Sequence, residues 1–339
     1  MSLDGAEARA QVLRRLQADS SFVLATHEAP DGDALGSLLA MHGLLTALGK
    51  QADMFVSSSD LPLPYEYSFF ATERTIQEPP ADIASRTVIF LDCGNIDRNS
   101  ADVLRDGRHL VNIDHHHDNT GFGTLNYVVP AASCTAEIVW DLMQGLQVAP
   151  QGVIAEALYV GLITDTGRFM YENTGPRAHL MAAELIEAGV DVHAIYQQVY
   201  EGVPFGKLAL LARALSSVRS YDGGRLTLAS ITLDDMRATG AEESHHEGIV
   251  DHLRAVRGTK VAALVREVET AEGHLRRKVS LRATDEDVDV SAIARTEGGG
   301  GHRRAAGFTT ELDVDEIAAL LLREISLWLD GEHAAAVSS

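Results

Sequence analysis

Residues 26–34 read Thr-His-Glu-Ala-Pro-Asp-Gly-Asp-Ala, which sets His27, Asp31 and Asp33 between an apolar run and a helical pattern. Three groups of similar chemistry follow. Asp92 closes the run Thr87 to Leu91, Asp114-His115-His116-His117-Asp118 closes His109 to Ile113, and Asp165 stands in the segment Gly161 to Gly167. Mixed imidazole and carboxylate donors suit Mn²⁺ and its neighbours, whereas Mg²⁺ and Ca²⁺ prefer oxygen alone and structural zinc usually recruits cysteines. A carboxylate bridging two such ions about 3.5–4 Å apart leaves them sharing a water of lowered pKa, and the cations offset the charge that protects phosphate esters from attack. The implied chemistry is phosphoester hydrolysis. Singly, each residue has an ordinary explanation: His27 as a strand-end histidine, Asp31 and Asp33 as turn and cap residues, Asp92 as a loop carboxylate. Three consecutive histidines between two aspartates at a strand end are harder to assign to structure alone.

Such groups cooperate only if the fold brings them together. The first half alternates short apolar runs (Phe22 to Thr26, Met54 to Val56, Thr87 to Leu91, His109 to Ile113) with helical patterns such as Leu35 to Leu48, for which Asp33 is a candidate cap and Gly49 a stop. That alternation predicts a parallel sheet with crossover helices, whose carboxyl edge would gather the clusters in one crevice. Further helical patterns occupy Thr135 to Leu146, Val153 to Leu162 and Arg177 to Ala188. The predicted organisation is a parallel-sheet α/β domain over 1–190, a helical linker over 191–217 and a second, smaller α/β domain over 218–332.

The second domain offers a different chemistry. Gly298-Gly299-Gly300-Gly301-His302-Arg303-Arg304 can bring backbone close to an anion, with a flexible surface loop as the competing explanation, and Arg282 ends a strand pattern as either a surface cation or a phosphate clamp. Residues 250–310 hold eleven basic against nine acidic residues, in a chain of 339 residues with 28 Lys plus Arg, 49 Asp plus Glu and a net charge of −21. Such a surface repels long polyanions, so duplex or long-RNA binding is not expected, while small phosphorylated ligands remain compatible with a locally basic cleft. Cys93 and Cys134 are too few for a disulfide framework and read as buried reduced thiols. With no signal-peptide pattern in Met1 to Ser20 and no membrane-length apolar window, a cytoplasmic location is expected.

The set His27-x-x-x-Asp31-x-Asp33, Asp92, Asp114-His115-His116 and Asp165, followed by Gly298 to His302, resembles the DHH phosphoesterase superfamily with its DHH-associated C-terminal domain, over about Phe22 to Leu329. It is most similar to the NrnA-like branch of nanoRNases and pAp phosphatases. The resemblance implies two divalent ions, Mn²⁺ foremost: one on His27, Asp31 and Asp92, the other on Asp33, Asp92, His115 and Asp165, with Asp92 bridging. It implies His116 beside the scissile phosphate, and Arg282, Gly299, Gly300, Gly301 and His302 on the rest of the nucleotide. The implied substrates are short RNA, linear or cyclic dinucleotides and pAp, and a homodimer is also implied. A pyrophosphatase or exopolyphosphatase shares this metal site but replaces nucleotide recognition with a dense Arg and Lys cluster, which the sequence lacks. A RecJ-like exonuclease fits poorly with the −21 charge, and a catalytically dead nucleotide sensor poorly with a complete ligand set. His117 extends the usual histidine pair, Cys134 stands where Ser or a small residue would be unsurprising, and His245 and His246 read as solvated residues at a helix start.

Overall fold

The computed structural model describes residues 5–68, 75–99, 101–270, 273–284 and 286–329, the side chain of His302 excepted. The chain divides into two units, Met1–Gly202 and Val203–Ser339.

In the first unit, helix α1 (Gly5–Ala18) leads into β1 (Ser21–Ala25), α2 (Gly32–Ala47), β2 (Gln51–Phe55), the two-residue β3 (Thr75–Ile76), β4 (Thr87–Leu91), β5 (His109–Asp114) and β6 (Leu125–Val128). Helices α3 (Thr135–Gly145), α4 (Val153–Asp165), α5 (Pro176–Glu187) and α6 (Val192–Tyr200) complete it. The strands form one parallel sheet in the order β3-β2-β1-β4-β5-β6. Strands buried on both faces must be apolar throughout, which is why β1 and β4 read as continuous hydrophobic runs. Phe22, Leu24, Ile89 and Leu91 join the larger core with α1 to α6, while Val23, Ala25, Val88 and Phe90 face a smaller core beneath 3₁₀ turns and Phe122. The chain leaves β1 toward β2 on one side and returns to β4 on the other, so the sheet's order reverses between β1 and β4. At such a switch point the loops after the two strands splay apart and open a crevice.

Helix α2 is buried nearly all round. It lies against α4 because glycines remove the Cβ atoms that would hold the backbones apart: a Cβ on Gly36 would sit 2.4 Å from the Ala157 carbonyl oxygen, and one on Gly32 2.5 Å from Thr164 Oγ1. The sequence placed the cap of this helix at Asp33. Asp31 is the cap instead, its carboxylate accepting from the backbone N–H of Asp33 and Ala34, which puts Asp33 inside the first turn.

The second unit runs α7 (Phe205–Ser216), β7 (Arg219–Tyr221), β8 (Leu226–Ile231), α8 (Leu233–Thr239), α9 (Ile249–Arg254), β9 (Val261–Glu269), β10 (Leu275–Ala283), α10 (Val290–Thr296), β11 (Gly300–His302), β12 (Ala305–Thr310) and α11 (Val314–Leu329). Its sheet has the order β11-β12-β10-β9-β8-β7, antiparallel except for the β8–β9 pair. Alternate residues of β9 serve opposite faces: Val261, Ala263 and Val265 pack with α10 and α11, Ala262 and Leu264 with α7 and α9. The segment 191–217 thus carries two helices, α6 packed in the core of the first unit and α7 in that of the second.

Candidate metal centre

The carboxyl ends of β1, β4 and β5 lie level, Ala25 pairing with Phe90 and Leu91 with Ile113, so His27, Asp92 and His115 emerge side by side. Asp31 is the cap of α2 and Asp33 lies in its first turn. Asp165 comes from the last turn of α4 rather than from a loop, because the helix read as ending at Leu162 runs on to Asp165. Three sets of donor atoms gather within 4.8 Å of one another: His27, Asp31 and Asp92; Asp33, His115 and Asp165; and Asp92, His115 and His116. All seven residues named in the sequence for this centre are therefore in one place.

Asp92 lies in the middle. It is buried, it holds a left-handed φ of 56°, and its two carboxylate oxygens face three imidazoles, His27 Nε2 and His115 Nε2 at 3.6 Å and His116 Nδ1 at 3.7 Å. Burial raises its pKa, but the His27 hydrogen bond and the His116, His115 and His27 charges outweigh it and bring it to about 2. The other carboxylates go the opposite way. Burial and then the charge of Asp92 push Asp31 up and Asp33 well up, and burial carries Asp165 to about 6. Among the described residues no Lys or Arg forms an ion pair with these four aspartates, so carboxylates packed this closely lack a countercharge. Two divalent cations, hard ions that accept mixed carboxylate and imidazole donors, fit this electrostatic deficit.

The surroundings fix each donor. His27 Nδ1 bonds the Glu28 carbonyl at 2.7 Å, so Nδ1 carries the proton and Nε2 is left as the inward donor. Burial lowers the pKa of His27, but Asp92 and Asp31 raise it above its ordinary value. Asp33 accepts the Thr135 N–H at 2.6 Å and the Ala136 N–H at 2.9 Å, the free donors of the first turn of α3. That helix begins at Cys134, whose Sγ caps it by accepting from the Glu137 N–H. Thr135 also donates through Oγ1 to Asp92 at 3.0 Å. Asn173 donates to the Asp165 carboxylate at 3.2 Å, to the Asp165 carbonyl and to the Ser133 carbonyl, so it ties the two loops together. Asp114, fully buried, accepts from His116 Nδ1 at 2.8 Å, from the His115 N–H and from Asn119. The Asp114 hydrogen bond raises the His116 pKa to about 9 and leaves Nε2 as the free face of the ring. Thr135, Asn173, Asn119 and the separate role of Asp114 were missed in the sequence, since Thr and Asn carry no motif of their own. For Thr135, its place at the start of the helical pattern Thr135 to Leu146 was the available signal.

Other expectations divide. Cys93 and Cys134 are buried free thiols, and burial raises the pKa of Cys93 to about 12. His117 is exposed. His245 is buried, contrary to the reading of it as solvated: its Nδ1 accepts the Glu242 N–H in a 3₁₀ turn, where a histidine replaces the usual cap. Arg282, Gly299, Gly300, Gly301 and His302 all belong to the second unit. Arg282 and His302 both pair with Ala305, on either side of β12, so these residues gather at one end of that sheet. Arg282 Nε lies 4.0 Å from Asp251. Part of the glycine run is the strand β11, and Gly299 and Gly301 are required there for packing: a Cβ would lie 2.2 Å from the Gly307 carbonyl oxygen in the first case and 2.6 Å from that of Ala305 in the second. The side chain of His302 lies outside the described residues.

The DHH family, N-terminal domain, matches residues 21–162, and the DHHA1 domain matches residues 224–329. A protein of Thermus thermophilus named bifunctional oligoribonuclease and PAP phosphatase NrnA is 34% identical over 93% of this chain and 92% of its own length. The chain belongs to the DHH family. Another relative of the same name, from Bacillus subtilis, is 25% identical over 88% of this chain and 92% of its own. Among solved structures, an exopolyphosphatase-related protein of Bacteroides fragilis superposes with a TM-score of 0.85 at 22% identity, covering 96% of this chain and 97% of that one. This likeness shows the fold alone, shared over nearly the whole length of both chains. No helix among the described residues is long and apolar enough to cross a membrane.

Proposed function

We propose that the chain is a two-metal phosphoesterase, Mn²⁺-dependent, that hydrolyses very short oligoribonucleotides and dinucleotides such as pApA and pGpG to 5′-mononucleotides and converts pAp to AMP and phosphate. The observation that carries the reading is the complete donor set around Asp92 in a chain that aligns end to end with a relative named for both activities. The two reactions are one piece of chemistry. In pApA and in pAp a water oxygen adds to phosphorus, the bond from phosphorus to the 3′ oxygen breaks, and the leaving group is the same 3′ oxygen of a 5′-phosphorylated nucleoside.

His27, Asp31 and Asp92 would hold one ion, and Asp33, Asp92, His115 and Asp165 the other. Bound there, the ions would supply charge neutralisation at the phosphoryl group and activation of water. The protein's own groups do the rest. Asp114 holds the His116 proton on Nδ1, which keeps the ring in one orientation and protonated at neutral pH, and Nε2 delivers a proton to the departing 3′ oxygen. Arg282, the backbone of Gly299 to Gly301 and His302 are the second unit's candidates for binding nucleotide phosphate and base. A chain acting on such small substrates requires no long nucleic-acid track, consistent with its net charge of −21, and it works in the cytoplasm as a homodimer. Release of AMP from pApA and of phosphate from pAp, each in Mn²⁺ and each set against pyrophosphate, tests the reading: turnover of the two nucleotides is expected. Pyrophosphate cleavage alone would move the chain to the pyrophosphatase side of the superfamily.

A further inference from the structure

The centre gathers carboxylates and imidazoles, and among the described residues no Lys or Arg pairs with its four aspartates. Arg282, the cation singled out in the sequence, belongs to the second unit, so a cation within the first would be a separate recognition element. Immediately after Asp92 the chain makes a 3₁₀ turn, Ile96–Arg98, capped by Asn95. Both strand ends pin this turn. Cys93 Sγ donates to the Asn95 carbonyl, the Glu28 N–H donates to the Arg98 carbonyl at 2.6 Å, and Asn99 Nδ2 donates to the Thr26 carbonyl at 2.6 Å. The Arg98 backbone is thus bonded directly to the loop that carries His27 and Asp31, on a turn whose cap, Asn95, lies three residues beyond Asp92.

The side chain of Arg98 is exposed, and among the described residues it has no carboxylate within ion-pair distance. Its nearest acidic neighbours in sequence, Asp97 and Asp102, are both taken by Arg105. The Arg98 charge is nonetheless felt inside the site, where it disfavours the proton on His116 and lowers the Cys93 thiol pKa against the effect of burial. An exposed arginine with no carboxylate partner among the described residues, on a turn bonded to the loop that carries His27 and Asp31, has the planar two-pronged donor that phosphate oxygens accept.

We infer that Arg98 is a phosphate-binding residue of the first unit, taking a non-bridging oxygen of the phosphate that is cleaved. The inference rests on the phosphoesterase reading for its substrate but not for its test. Manganese-loaded wild type, Arg98→Ala and Arg98→Lys are titrated with orthophosphate by calorimetry, and with Mn²⁺ alone after metal removal. Orthophosphate affinity is expected to fall about tenfold or more in Arg98→Ala, the loss of one charge-assisted hydrogen-bonding group, and to recover in part in Arg98→Lys, with Mn²⁺ affinity unchanged in both. The KM for pAp should rise in parallel, with less change in kcat. Equal orthophosphate affinity in wild type and Arg98→Ala would overturn the inference even if pAp proves a good substrate. So would a matching loss of Mn²⁺ affinity, which would make Arg98 a support of the loop. Orthophosphate binding that depends on Arg98 in a protein inert toward pAp and pApA would uphold the inference and reject the substrate reading.

Discussion

Asp92 can face three imidazoles only because its backbone turns left-handed at the end of β4, a conformation that aspartate tolerates better than most residues. The residues around it separate into those that would hold ions and those that hold the holders, and the two kinds should fail differently. Replacing His116 with Gln removes the proton donor while leaving the ring's place polar. The expected loss is in kcat on pApA, about 10²- to 10⁴-fold, with KM and Mn²⁺ affinity close to wild type; a rise in KM alone would move His116 out of the proton-transfer role. Asn173→Ala leaves every donor in place but frees the Asp165 carboxylate, so Mn²⁺ affinity should weaken by about 10- to 100-fold, as read by titration calorimetry, with little change in the thermal midpoint of the metal-free protein. What the sequence disclosed at this scale were residue types that are rare at strand ends, His27, Asp92 and the run from Asp114 to Asp118. The supports were hidden because Thr135 and Asn173 act through hydrogen bonds that only three-dimensional proximity creates.

At the scale of elements, the centre depends on how closely α2 and α4 approach, since the first contributes Asp31 and Asp33 and the second Asp165. Gly36→Ala would drive a methyl to within 2.4 Å of the Ala157 carbonyl. Neither helix backbone can yield without moving its carboxylates, so a destabilisation of about 1–3 kcal/mol is expected in chemical denaturation, accompanied by weaker Mn²⁺ binding. Gly49→Ala, at a left-handed helix end with open space around it, should lower stability while sparing metal affinity. Elements with strong periodicity were legible, α2, α3 and the buried strands above all. Those left out of the sequence reading lacked such a signal: α8 buries none of its residues, β3 is two residues long, and β6 interrupts its apolar pattern with Asn126. That part of the glycine run forms β11 was hidden for a related reason, because glycine forced by a close strand crossing looks in sequence like glycine in a loop.

For the molecule as a whole, the metal-free protein carries an electrostatic burden that pH should reveal. Asp165 is raised to about 6, and Asp31 and Asp33 are raised as well. A carboxyl whose folded pKa lies above its unfolded value favours the fold while protonated, so its contribution is lost as pH rises from about 4 through about 6. Bound cations compete with those protons and reverse the loss. The increase in melting temperature caused by Mn²⁺ should therefore be small at pH 5 and reach its full size above pH 7, with chelator abolishing it; an equal increase at both values would place the ions elsewhere. The parallel character of the first sheet was legible in the βα alternation of the sequence, whereas its strand order and the mixed sheet of the second unit, with its single parallel pair, could not be read from strand patterns alone. The most direct test of the centre is its stoichiometry. Calorimetric titration of the metal-stripped protein with Mn²⁺ should give two ions per chain for the wild type and the loss of both sites for Asp92→Ala. One ion or none in the wild type, or two retained without Asp92, would contradict a dinuclear centre built on that carboxylate.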